Sequence, residues 1–248
     1  MSDNTETTDF GFRQVPRADK RGMVQAVFDR VAPRYDLMND LMSLGVHRAW
    51  KRVLVTALDP SPRRTLLDLA GGTGDVGLAW LEQGGGPLLL TDLTASMLAI
   101  AHDRAVERGL IGGASLLVAD AERLPLADRV VDRVSIAFGL RNCTDKAAVL
   151  AEAWRVLRPG GRFFCLEFSH MRVAALQPMY DAWSFRVLPL LGRWIARDEA
   201  SYRYLAESIR TFPDPDVLAD MLRHAGFARV AVRTLSGGIA AIHSGWRL

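Results

Sequence analysis

The sequence has little cysteine, no long apolar run and no basic leader. Its 248 residues hold two cysteines, Cys143 and Cys165, with no C-x-x-C pairing. That excludes a disulfide framework or a cysteine zinc site as the organising device, and it fits a reduced, cytoplasmic compartment. No stretch approaches the ~20 consecutive apolar residues of a membrane span, so any membrane contact is expected to be peripheral. The first residues carry Asp3, Glu6 and Asp9 against no Lys or Arg, which argues against a secretory leader. Internal repeats and low-complexity tracts are lacking too. Excess charge of one sign is small, +3 with a pI near 9.1. Such a balance does not by itself call for nucleic acid or an anionic surface. A composition of 49% hydrophobic and 24% charged residues is that of an ordinary globular chain with enough apolar surface for one full core.

One stretch stands out against these absences. Residues 66–75 read Leu-Leu-Asp-Leu-Ala-Gly-Gly-Thr-Gly-Asp: a short buried strand, a glycine turn, and the start of a helix. Gly72 to Gly77 is a literal G-x-G-x-x-G, and Asp92 follows 20 residues after Gly72, so a dinucleotide fingerprint is one reading. Two carboxylates speak against a pyrophosphate there, since Asp68 enters the turn and Asp75 opens the helix, where like charges repel. They suit a ligand with an ammonium and a sulfonium at one end and a ribose diol for Asp92 at the other. S-adenosylmethionine is such a ligand. A turn that needs glycine for geometry alone is the bland alternative.

Taken in order, the chain predicts a flexible tail over 1–18 and a single domain over 19–248. Within that domain 19–60 forms an N-terminal helical cap and 171–210 a helical insertion. The first helix begins with Asp19 as N-cap and stops at Pro33; Met23, Val27, Phe28 and Val31 recur at its apolar spacing. Met38, Leu41 and Met42 read as packing of a short helix before a second one reaching about Leu58. Strands are expected over 65–70, 88–91, 116–119, 130–137 and 162–168, alternating with helices capped by Thr94 and Asp145 and halted by Gly109 and Pro159-Gly160-Gly161. A helix capped by Asp214 or Asp216 and a closing hairpin, 230–235 with 239–244, complete the chain. This alternation implies an α/β, doubly wound, seven-stranded, mostly parallel sheet of Rossmann-like form, with ligands at the strands' C-terminal ends. Asp92, Asp120, Phe138 and Glu167 all fall at such ends.

With the elements placed, the core resembles the class I S-adenosylmethionine-dependent methyltransferases, which also carry an Arg-Val-Leu-Arg-Pro-Gly-Gly run like 155–161. More narrowly, the chain from about Phe10 onward resembles the ubiquinone/menaquinone biosynthesis C-methyltransferase family. The matching residues are Tyr35-Asp36-x-Met38-Asn39-Asp40-x-Met42-Ser43-x-Gly45-x-His47-Arg48-x-Trp50, Phe138-Gly139-Leu140-Arg141-Asn142, Glu167-Phe168-Ser169 and 202–210. The resemblance implies S-adenosylmethionine as cofactor, contacted by Thr73 at the turn, Asp92 at the ribose, and Asp120 and Ala121 at the adenine; Asp68, Gly72 and Gly74 are expected to hold it at the same turn. Ala137 stands where members often have a cofactor-binding serine. The implied reaction is C-methylation of a prenylated quinol, demethylmenaquinol to menaquinol or 2-polyprenyl-6-methoxy-1,4-benzoquinol to its methylated form.

A sulfonium methyl is already activated, so the protein must align an electron-rich ring carbon, exclude water and stabilise the phenolate. No metal is needed. Arg141 is the first candidate for the oxyanion, then His47 as base or orienting group. Tyr202, with Tyr180 and Tyr204, either lines the ring pocket or packs the insertion. Arg172, Arg186, Arg193, Arg197, Arg203 and Arg210 among large apolar residues suggest that 171–210 is a substrate-side cover that admits the prenyl tail at a membrane surface, from the cytoplasmic side. A homodimer or an assembly with other quinone-biosynthesis enzymes is the competing use of that surface. A small-molecule O-methyltransferase, a nicotinamide-dependent reductase and a non-catalytic cofactor-binding module are the rivals. A nucleic-acid base methyltransferase would carry an Asn/Asp-Pro-Pro-aromatic turn where this chain has Phe138-Gly139-Leu140-Arg141, so no nucleic-acid partner is expected.

Overall fold

Short apolar runs that alternate with amphipathic stretches bury themselves here as one sheet between two helical layers. The structure, a computed structural model, describes residues 6–32, 39–40, 43, 45–169 and 199–248. The expected short helix through Met38, Leu41 and Met42, the stop at Pro33, Tyr180 and residues 171–198 of the 171–210 insertion lie outside the described residues. An N-terminal hairpin, β1 (Thr7–Phe10) and β2 (Arg13–Pro16), leads into α1 (Arg17–Val31) and α2 (His47–Leu58). The alternating core follows as β3 (Leu66–Leu69), α3 (Asp75–Glu82), β4 (Leu88–Asp92), α4 (Ala95–Glu107), β5 (Ala114–Val118), β6 (Val131–Ala137), α5 (Lys146–Val156) and β7 (Leu157–Phe168). The last part of the expected insertion is α6 (Glu199–Arg210), and after it come α7 (Pro215–His224), β8 (Ala228–Leu235) and β9 (Ala240–Trp246). Among the described residues no helix is long and apolar enough to cross a membrane.

Seven strands form one sheet in the order β5-β4-β3-β6-β7-β9-β8. The first five pair in parallel and β9 pairs antiparallel with both β7 and β8, so the expected doubly wound sheet with a closing hairpin is what the chain forms. β3 lies inside the sheet, between β4 and β6, and is buried on both faces, which is why it reads as a nearly continuous apolar run. Alternate residues serve opposite layers. Leu66 joins a core built with α1, α2, α3, α4 and α6, whereas Leu67 and Leu69 join one built with α5 and α7. Because β4 lies on one side of β3 and β6 on the other, the chain reverses direction of winding at β3. A crevice opens at such a switch point beyond the strand's C-terminal end.

Two expectations need correction. Residues 7–16 are no flexible tail: β1 and β2 pair Thr7 with Pro16 and Phe10 with Arg13, and α1 already starts at Arg17, with Asp19 in its first turn rather than at its cap. The cause is distant in sequence. Phe10 is buried and stacks on Tyr204 of α6 at 4.2 Å and 21°, and Glu207 accepts the Phe12 N–H at 3.1 Å. The second correction concerns Pro159-Gly160-Gly161, which ends α5 but sits inside β7 rather than before it. The run survives as strand because the chain's last residues cover it. Gly160 N–H donates to the Arg247 carbonyl at 2.7 Å, and Arg247 N–H donates to the Gly161 carbonyl at 3.0 Å. The buried Arg247 guanidinium donates from Nη1 to the carbonyls of Trp154, Arg155 and Leu157 at 2.6, 2.7 and 2.8 Å, and lies 3.8 Å above the Trp154 ring. It thereby satisfies carbonyls that the end of α5 leaves open and places a cation at the negative end of the helix dipole.

Candidate active site

The turn from β3 into α3 forms the floor of the crevice. Gly74, the N-cap of α3, has φ +86°, and a side chain there would press on Leu78 and Ala101 at 3.2 to 3.3 Å. Two residues that are not glycine share the left-handed region at this place, Ala70 with φ 47° and Phe138 with φ 59°. Such backbone costs of order 1 kcal/mol or more per residue and gathers at functional sites. The two strained turns touch: a Cβ on Gly139 would stand 2.7 Å from the Ala70 Cβ. Glycine at 139 is therefore what lets the loop after β6 close down on the loop after β3.

Two cavities flank this turn and share Ala70. The larger, about 820 Å³ counting its open mouth, has Gly72, Asp92, Asp120 and Ala121 on one side and Phe138, Gly139 and Asn142 on another. α1 roofs it with Arg21, Val24, Gln25 and Phe28. The smaller, about 290 Å³, is lined by Lys51, Asp68, Gly71, Thr73, Asp75, Val76 and Ala137. Asp92 is fixed by two backbone donors, Gly72 N–H at 2.9 Å and Thr94 N–H at 2.8 Å. Burial raises its pKa, and those N–H groups act against the rise. Thr94, expected as a side-chain cap of α4, makes no cap bond with its own hydroxyl; it is Asp92 that receives the backbone N–H. Asp120 accepts the Glu122 N–H at 2.9 Å and pairs with Arg21 at 2.9 Å, so the roof is tied to the far wall.

The carboxylates of the smaller cavity differ from expectation in their charge. Asp68 is buried beneath the turn, where the Ser135 hydroxyl donates to it at 2.6 Å and Gly77 N–H at 3.1 Å. Burial outweighs those bonds and pushes its pKa up to about 7. Asp75 is no lone anion at the helix N-terminus. Burial would raise its pKa, but Lys51 at 2.6 Å and Arg104 at 3.1 Å hold it below the usual carboxylate range. Repulsion of a pyrophosphate by a bare Asp75, the reason offered from the sequence, therefore does not apply. Arg104 also donates to the Thr73 hydroxyl at 2.9 Å, which locks that buried side chain into the turn.

The three catalytic candidates are not brought to the cavity walls. Arg141 is buried behind Phe138, with Nη1 donating to Glu167 at 2.8 Å and to the Phe138 carbonyl at 2.7 Å, while Glu167 also accepts the Arg141 N–H at 3.1 Å. Its Nε is buried without a hydrogen-bond partner, and the guanidinium lies 5.4 Å from the Phe168 ring centre. His47 is buried in the first turn of α2, its Nδ1 2.8 Å from the Ser43 hydroxyl. Burial and then the nearby Lys51 push its pKa down to about 4, so it is neutral at physiological pH. Tyr202 of α6 is packed in the core, whereas Tyr204 of the same helix reaches the site, donating to Asn142 at 3.1 Å. Sequence reasoning missed Arg21, Gln25, Lys51 and Arg104, because a charged or amide residue on a helix reads as a solvated face until the helix is docked.

Both cavities together suit a long ligand. The larger offers Val24 and Phe28 of the roof opposite three carboxylates, Asp92, Asp120 and Glu122, and the smaller a cation between two carboxylates, which suits a ligand with an adenosine end and a charged amino-acid end such as S-adenosylmethionine. The ubiE/COQ5 methyltransferase family matches residues 14–247. A ubiquinone/menaquinone biosynthesis C-methyltransferase of Acidiphilium cryptum is 66% identical over 245 residues, covering 99% of this chain and 98% of that protein. Among solved structures, a SAM-dependent methyltransferase of Thermotoga maritima is similar with a TM-score of 0.64 at 19% identity, over 91% of this chain and 100% of that one. Phosphoethanolamine N-methyltransferase 2 of Haemonchus contortus, solved with S-adenosyl-L-methionine, is similar with a TM-score of 0.56 at 16% identity, over 75% of this chain and 38% of that one. At such identities the two structures speak to the fold alone.

Proposed function

The chain belongs to the ubiE/COQ5 methyltransferase family, and on that premise we propose how its residues divide the work. It is an S-adenosylmethionine-dependent C-methyltransferase of ubiquinone/menaquinone biosynthesis, and its substrate is a prenylated quinol. Bound cofactor supplies a sulfonium-activated methyl group. Asp92 receives the ribose diol; the observation that carries this is a carboxylate on the cavity wall whose two oxygens are each aimed by one backbone N–H. Asp120 and Ala121 face the adenine, and Gly72, Thr73, Gly74 and Asp68 shape the turn beneath the amino-acid arm. α1 and α2 act as the cap expected over 19–60, which their part in both cavity walls supports.

On the acceptor side, Arg141 stabilises the quinol's developing oxyanion. Its support is a buried guanidinium, aimed by Glu167, whose Nε lacks an acceptor that a phenolate oxygen would provide. His47, with its pKa near 4, is too weak a base for a phenol of pKa near ~10, so of its two candidate roles orientation of the cap fits better. Tyr202 serves as packing. Purified protein given labelled cofactor and a panel of demethyl benzoquinols, demethyl naphthoquinols and catechols should place the new methyl on ring carbon; a methyl on oxygen would favour the O-methyltransferase, and the panel also separates the two quinol classes.

The finer proposal is peripheral contact with the inner face of a membrane through 171–210, supported by its mixture of arginines with large apolar residues. Sedimentation with anionic vesicles should fall with salt and with joint replacement of Arg186, Arg193 and Arg197 by Ala. Absence of sedimentation at low salt, with turnover of a short-tailed quinol intact, would remove the membrane and leave a homodimer or a biosynthetic assembly as the use of that surface.

A further inference from the structure

We propose that Lys51 is the residue that holds the carboxylate of the cofactor's amino-acid arm, and so fastens the N-terminal cap to the glycine turn through the ligand. The inference rests on the methyltransferase reading above. Lys51 belongs to α2, outside the sheet, yet its side chain is almost wholly buried and its Nζ reaches 2.6 Å from Asp75 at the start of α3. It is the one cationic residue among the described residues that line the smaller cavity; the other titratable ones are Asp68 and Asp75.

An amino-acid arm arrives as a zwitterion, and each charge needs a partner once water is excluded. Asp68 and the carbonyls of the turn suit the ammonium. None of them can receive the carboxylate; Asp68 and Asp75 would repel it, and Lys51 is the cation on that wall. An ammonium has three N–H donors and can be shared between Asp75 and a second carboxylate. Arg104 makes this sharing inexpensive: it bonds the other oxygen of Asp75 at 3.1 Å, so that carboxylate stays compensated when Lys51 leans toward the ligand. Ala137 on the same wall adds weight to the lysine, since it offers no hydroxyl there.

The test cuts the ligand as well as the protein. S-adenosylhomocysteine carries the arm; 5′-methylthioadenosine keeps the adenosine and lacks it; the decarboxylated homocysteine analogue keeps the ammonium alone. Calorimetry on the full chain should find that Lys51→Met weakens S-adenosylhomocysteine about tenfold or more and leaves 5′-methylthioadenosine within about twofold. The decarboxylated analogue should bind wild type and Lys51→Met alike, and Lys51→Arg should keep most of the affinity for the intact arm. Equal losses for all three ligands would mean that Lys51 acts only by bracing Asp75, and no loss for any would mean that it does not meet the arm; either result overturns the proposal. Should Lys51→Met not fold, Lys51→Gln is read in the same way. If wild type binds none of the three, the methyltransferase reading itself fails, which is a different outcome from a selective one.

Discussion

Truncating Arg141 to Ala is expected to cost the fold about 3 to 5 kcal/mol, because it strands Glu167, which is 1% exposed, as an uncompensated buried charge. In a chain of this size that is a fall in Tm of roughly 10 °C. Loss of activity in Arg141→Ala is therefore no evidence for catalysis by itself. Arg141→Lys separates the two effects, since it keeps the charge opposite Glu167 and loses the planar fork and the Nε donor. We expect kcat to fall about a hundredfold, the scale of one removed oxyanion donor, with affinity for S-adenosylhomocysteine nearly unchanged. Glu167→Gln should lower kcat through the misaimed guanidinium and cost less stability than Arg141→Ala. Turnover unchanged in Arg141→Lys, or cofactor binding abolished by it, would remove Arg141 from the acceptor side.

The second large effect is expected at Asp92. Asp92→Ala removes the diol partner and also orphans the N–H groups of Gly72 and Thr94, so both the turn and the start of α4 lose an anchor. Affinity for S-adenosylhomocysteine should drop by roughly 1.5 to 3 kcal/mol, tenfold to about 150-fold. Because burial raises the Asp92 pKa, wild-type affinity should begin to weaken on the acid side at a higher pH than an ordinary carboxylate would dictate. Isothermal titration decides it: an unaltered constant in Asp92→Ala, or binding of NAD by the wild type, contradicts the assignment.

The sheet was legible because β3, β4 and β5 are short, mostly apolar runs set between glycine, proline or an acid, and local signals of that kind survive without context. The place of the crevice was legible for the same reason: Gly72, Thr73, Gly74, Asp92 and Asp120 sit on turns that the strand ends dictate. What failed was whatever depends on distant partners. Nothing near Phe10 announces that Tyr204 will cover it, and nothing near Pro159 announces Arg247. Charge states were the least readable. Asp75 looked like a bare anion until Lys51 and Arg104 were beside it, and Arg141, read as a candidate for the oxyanion, gave no sign that Glu167 would draw it inward.

The placement of the chain's last strand has a consequence for how the protein comes into being. β9 is synthesised after every other element, yet it lies inside the sheet between β7 and β8. Until residues 240–246 have left the ribosome, β7 presents an open hydrogen-bonding edge bearing Phe163, Phe164 and Cys165, and α5 lacks the Arg247 cation that covers its final carbonyls. An open apolar edge of that kind invites pairing with other chains. The nascent protein thus carries an open apolar edge from the emergence of β7 until β9 inserts, when a strand of seven residues and one arginine close the sheet together.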